Sequence, residues 1–247
     1  MGYKRETVIQ LSKFRQNMGS DLTMETAKKI FRSTIIGLPQ FEANPIAEKK
    51  LQYAESYLKY LKVLNLVKFI GVTGSVSNNF AKDEDDIDYI IIVKNNTMWV
   101  YRGLMLLKNI FNSKFRKSES KISKDLICVN LIAEERGLLF DNDLFNLNEL
   151  YHIKPLFNES YYENILASNQ WLKEWGGVIG KTDSKLKDMN IFLEAINLYF
   201  FIPQILFMLL KGHKPELKRI VSNYLKGRIE FFRSDYKDGK LEPFRTV

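Results

Sequence analysis

Residues 71–93 read GVTGSVSNNFAKDEDDIDYIIIV. A Gly74-Ser75 pair is followed, after ten residues, by Asp86-Ile87-Asp88 at the head of a β-branched run. Side chains two apart on a strand point to the same face, so Asp86 and Asp88 are placed to share one hard cation. Asp is depleted in strands, and two like charges on one face repel each other, an objection that a cation removes. Asp83, Glu84, Asp85, Asp86 and Asp88 form an acidic knot in a chain whose formal net charge is +8. Such a knot suits Mg²⁺, with Mn²⁺ as the alternative, because these ions take oxygen ligands from one or two carboxylates and from substrate phosphates.

An isolated Asp-x-Asp is more often a solvated acidic turn, and the upstream residues change that balance. Residues 68–72 read as a short buried strand that ends in Thr73-Gly74-Ser75. Residues 76–81 then read as the first turns of a helix. Free backbone N–H groups and the positive end of a helix dipole meet at such a turn, which makes it an anion cradle. Gly74 permits close backbone approach to a phosphate, and Ser75 is read as a helix cap that also offers its hydroxyl.

The combination resembles the signature of the DNA polymerase beta-type nucleotidyltransferase superfamily, stand-alone prokaryotic members included: apolar strand, Gly-Ser, about ten residues, then Asp-x-Asp in a second apolar strand. The likeness covers residues 68–133 and continues more loosely through residues 99–107, Cys128-Val129-Asn130 and residues 149–155. It implies an α+β fold in which a small mixed β-sheet core with helices is flanked by N-terminal helices and a helical C-terminal half. It also implies transfer of an NMP from an NTP to an acceptor hydroxyl with release of pyrophosphate. Gly74 and Ser75, with Asn78 and Lys82 of the same segment, would hold the triphosphate, while Asp86 and Asp88 would ligate the metal. Acceptors compatible with that fold range from small molecules to tRNA, other RNA and protein hydroxyls.

Familiar members carry a third carboxylate on a neighbouring strand. Here that strand spans residues 125–133, and its middle polar residue is Asn130. An amide can ligate a metal through its oxygen but is no base at neutral pH. Asp125 has the opposite parity on a regular strand, and Glu134 shares the parity of Asn130, so Asn130, Asp125 and Glu134 are the three candidates. With an asparagine there, a catalytically impaired nucleotide-binding or regulatory module stands beside the enzyme, and the basic faces add a third reading, an RNA-binding adaptor that needs no metal.

Composition narrows the classes further. One cysteine, Cys128, excludes an intramolecular disulfide and reads as a small core residue. His152 and His213 alone make zinc a poor fit. Residues 1–16 lack an apolar signal core, so the cytoplasm is the expected address. Six basic residues against Glu119 in residues 108–124, and a second basic cluster in residues 211–233, keep nucleic acid among the candidate partners. Lys181, Lys185, Lys187, Lys211, Lys214, Lys218 and Arg219 are the candidate phosphate or sugar contacts of the C-terminal half.

The order of elements predicts a nucleotidyltransferase core with N-terminal helices in residues 1–145 and a helical region in residues 146–247. Helices are expected at residues 23–31, 45–64, 97–115, 161–175, 189–211 and 215–232. Residues 195–210, AINLYFFIPQILFMLL, are too short to span a bilayer and are read as two buried helical pieces divided at Pro203, with no membrane partner.

Overall fold

The structure is a computed structural model that describes residues 5–32, 35, 37–110, 112–116, 123–177, 179, 190–210, 217–231 and 234–244. The chain has an α+β fold built on one five-stranded mixed sheet. Its elements run α1 (Arg5–Met18), α2 (Met24–Phe31), α3 (Pro45–Leu61), β1 (Val67–Val72), α4 (Gly74–Ser77), β2 (Ile87–Val93), α5 (Met98–Ile110) and β3 (Ile127–Glu134). They continue with α6 (Leu144–His152), β4 (Lys154–Phe157), α7 (Tyr162–Ala167), α8 (Ile191–Leu210), α9 (Leu217–Lys226), β5 (Arg228–Glu230) and α10 (Ser234–Leu241).

The strand order is β4-β1-β2-β3-β5. β2 and β3 are parallel, joined through α5, and the other three pairings are antiparallel. β2 is buried along nearly its whole length because it is central and both of its faces are covered. Ile90 and Ile92 face a core shared with α1, α2, α6 and α7. Ile87, Tyr89, Ile91 and Val93 face the core under α3 and α5.

Several expected boundaries move, each for a local reason. The helix expected over residues 76–81 is the single turn α4, and its N-cap is Thr73 rather than Ser75. It stops because Asn79 takes a left-handed conformation and Phe80 N returns to the Ser75 carbonyl. α5 ends at Ile110, and Phe115 instead bridges Ile127 beside β3. α9 ends at Lys226, where Gly227 at φ +65° turns the chain so that Arg228–Glu230 pairs with the edge of β3. α1 was not anticipated; it buries Val8, Leu11 and Phe14 against the sheet's first face.

The apolar run of residues 195–210 is the largest departure. α8 is one helix that continues through Pro203 and is mostly exposed rather than buried. Among the described residues it is the one helix long and apolar enough to cross a membrane.

Candidate active site

The end of β1 is tied to β2 by Thr73 N donating to the Asp88 carbonyl at 2.9 Å. The chain turns at once through Gly74, at φ +67°. An added Cβ there would lie 2.3 Å from Asp88 Oδ2, so only glycine allows the turn to pack on that carboxylate. Ser75 does not cap a helix; its Oγ donates to Asp85 Oδ2 at 2.7 Å, and the same oxygen accepts Lys82 N at 3.0 Å. Asp85 thus folds the acidic loop back over the Gly-Ser turn. Lys82 is exposed and lines the cavity.

Lys50 of α3 fixes the acidic loop from beneath. Its ammonium, 1% exposed, donates to the Asp83 carbonyl at 3.0 Å, the Asp85 carbonyl at 2.8 Å and Asp125 Oδ1 at 2.6 Å. The buried face of α3 reads Ala47, Lys50, Ala54, Tyr57, Leu61, a helical stripe with a lysine at a core position. That misplaced charge was the signal available in the sequence. Asp125, so engaged, belongs to the scaffold and not to the metal face.

Asp86, immediately before β2, and Asp88, its second residue, both line the cavity side, as their spacing requires. Arg116 Nη1 donates to Asp86 Oδ2 at 2.5 Å. Burial, then the charge of Asp86, push the Asp88 carboxyl well above its usual range. Opposite Asp88 on β3 is Cys128, not a carboxylate. Its thiol donates to Asn130 Oδ1 at 3.5 Å. Burial and the two aspartates push the thiol up, so it stays protonated, and Cys128 faces the site instead of filling the core. Asp86, Asp88 and Cys128 offer ligand atoms within 4.8 Å of one another.

The parity argument for β3 fails at a β-bulge. Tyr89 pairs with Val129 but Ile90 pairs with Leu131, leaving Asn130 as the extra residue. Asn130 lines the cavity together with Leu131. Glu134, beyond the bulge, no longer shares the site's face: it is fully buried and caps α5 by accepting Thr97 N and Met98 N at 3.1 Å each. Of the three candidates for the last position, Asn130 alone reaches the site.

Behind the turn is a polar network that the sequence reading missed, apart from Asn78. Glu149 of α6 accepts Gly74 N at 3.3 Å and Asn78 Nδ2 at 3.3 Å. Asn78 does not face the cavity; its amide also donates to the Gly74 carbonyl, which makes it a support for the turn. Arg15, 3% exposed, donates through Nη1 to Asn78 Oδ1, Asn148 Oδ1 and His152 Nε2 at 2.8–2.9 Å. Burial lowers the Arg15 guanidinium to about 10, against the raising effect of Glu149. Burial and the Arg15 charge hold His152 well below the ordinary histidine value, so its ring is neutral. Burial raises Glu149, while the Gly74 N–H and the two amides oppose that rise.

These pieces enclose one cavity of about 550 Å³. Its polar end holds Gly74, Ser75, Lys82, Asp85, Asp86, Asp88, Asn130 and Glu149, and its other wall is apolar, with Ile90, Leu131, Phe140, Phe145, Leu150 and Ile153. Lys181, Lys185, Lys187, Lys211, Lys214 and His213 lie outside the described residues, as do the side chains of Lys218 and Arg219. Comparison with known proteins gave no match: no protein-family model, no curated protein and no solved structure matches the chain.

Proposed function

We propose that this chain is a metal-dependent nucleotidyltransferase that moves an NMP from an NTP to an acceptor hydroxyl and releases pyrophosphate. The observation that carries the reading is the packing of Gly74 directly on Asp88, which joins a glycine-serine turn and a same-face carboxylate pair at one end of one cavity. Asp86 and Asp88 fit a divalent cation, because they are two half-buried carboxylates side by side and Asn130 lines the same cavity from the adjoining strand. Such an ion, when bound, supplies charge neutralisation at the phosphate, attacking and leaving oxygens.

The chain's own residues do the rest by position. Ser75 receives a phosphate oxygen by giving up its bond to Asp85, and Lys82 adds the one cation that the described residues bring to the cavity against four carboxylates. The excess of acid means that a triphosphate is held only together with its cation. Asn78 and Glu149 keep the turn in place from behind. The apolar wall takes up the base or the body of the acceptor and excludes water from the reacting end.

A second reading, a nucleotide-binding module without transfer, is favoured by Cys128 and Asn130 standing where a third carboxylate is expected. One experiment separates the two. The protein is incubated with labelled NTPs and a lysate, with and without Mg²⁺ or Mn²⁺. Metal-dependent labelling of an acceptor is the expected result; metal-dependent NTP binding without labelling supports the second reading, and neither binding nor labelling overturns both.

A further inference from the structure

α8 has its polarity reversed. Glu194, Asn197 and Gln204 face inward, and each is bonded to a neighbouring element. Glu194 accepts from Asn96 and Tyr224. Asn197 Oδ1 accepts Trp99 N at 2.8 Å. Gln204 accepts from Arg102 at 2.5 Å and donates to the Trp99 carbonyl at 2.9 Å. The outward face carries Phe192, Leu198, Tyr199, Ile202, Leu206 and Leu210, with Phe192 and Tyr199 each 73% exposed and Leu210 87%. The only charged residue in the helix is Glu194, so this face bears no charge. A 20-residue helix is about 30 Å long, and a water-facing apolar surface of that length marks an interaction site rather than a solvated one.

We propose that α8 lies in the interface of an anionic lipid bilayer and seats the protein on a membrane surface. Crossing the bilayer would require α8 to leave α5 and break the bonds of Asn197 and Gln204, whereas lying in the plane keeps them and immerses only the outer face. Charge selects the occupant. The stretch directly after Leu210 holds Lys211, Lys214, Lys218 and Arg219 against the single acid Glu216. Anionic headgroups attract such a segment by about 1 kcal/mol for each basic residue near the surface. A second copy of the chain would instead bring two positive segments to one interface whose apolar face offers no acid to pair with them. The proposal is independent of nucleotidyl transfer.

The full chain is tested by flotation with vesicles of phosphatidylcholine alone and of phosphatidylcholine mixed with phosphatidylglycerol, at low and high salt, alongside sedimentation without lipid. Wild type floats with the anionic vesicles, less at high salt, and sediments as a monomer. The double variant Ile202→Asp, Leu206→Asp changes only exposed positions, and it lowers the partition by roughly tenfold or more while retaining the wild-type circular dichroism spectrum. Absence of flotation overturns the proposal, as does equal flotation with both vesicle types. A dimer that the double variant disperses, in a protein that does not float, overturns it in favour of a second copy.

Discussion

Gly74 and Asp88 touch: no room exists for even a methyl group between the turn after β1 and the second carboxylate of β2. The contact fixes where an anion held by the turn would sit relative to a cation held by the strand, so the two halves of the site are set by one close approach.

Gly74→Ala therefore costs twice, once for an alanine at φ +67° and once for displacing Asp88. The expected destabilisation is about 1–3 kcal/mol in urea unfolding, with loss of metal-dependent transfer. Transfer at the wild-type rate in a stably folded Gly74→Ala protein would refute the proposed arrangement of turn and carboxylate.

Asp88→Asn removes a half-buried carboxyl whose charged form desolvation and Asp86 disfavour. Thermal melting at neutral pH should rise, and added Mg²⁺ should raise the melting temperature of wild type but not of the variant. Transfer should fall by at least about a thousandfold, since a bound metal contributes several kcal/mol to such a transition state.

Asp125→Asn distinguishes scaffold from site. With the buried Lys50 ammonium deprived of its carboxylate, unfolding free energy should drop by about 3–5 kcal/mol. The variant that remains folded should keep its kcat and its Mg²⁺ dependence. A selective loss of kcat would instead return Asp125 to the metal site.

His152 predicts an acid limb of stability. Folded His152 stays neutral beside Arg15, with its affinity for a proton held well below the ordinary value of 6.5, while the unfolded chain binds that proton normally. The unfolded state therefore holds more protons as pH falls below about 6.5, and stability is lost through that window by up to about 1.4 kcal/mol per pH unit until the depressed folded value is reached. Urea midpoints measured from about pH 7.5 to about pH 5.5 should fall in wild type and fall less in His152→Asn. Parallel slopes would show that His152 does not carry the effect.

Spacing alone placed Asp86 and Asp88 on one face and Gly74-Ser75 at a turn, because strand alternation and glycine's backbone freedom are local properties that the chain carries with it. The helices α2 and α3 were legible for the same reason, through the Thr23 start of the first and the apolar stripe of the second. What the neighbouring strand contributes was not local. A bulge at Asn130 cancels the parity by which Glu134 seemed to share the site, and a bulge exists only in relation to the strand beside it.

The partners of polar residues were equally hidden, since Lys50 meets Asp125 and Arg15 meets Asn148 only when elements far apart in sequence are packed together. The direction that α8 faces is decided in the same way. Its composition says only that the helix is apolar, whereas the three polar residues that find partners on α5, α9 and the loop before α5 turn its apolar side toward the surroundings. Sequence by itself thus determined the turn, the carboxylate pair and the apolar runs, each set by period and backbone preference. The tertiary structure alone decided which residue completes the site and which apolar surface stays uncovered, because both depend on what lies on the far side of a contact.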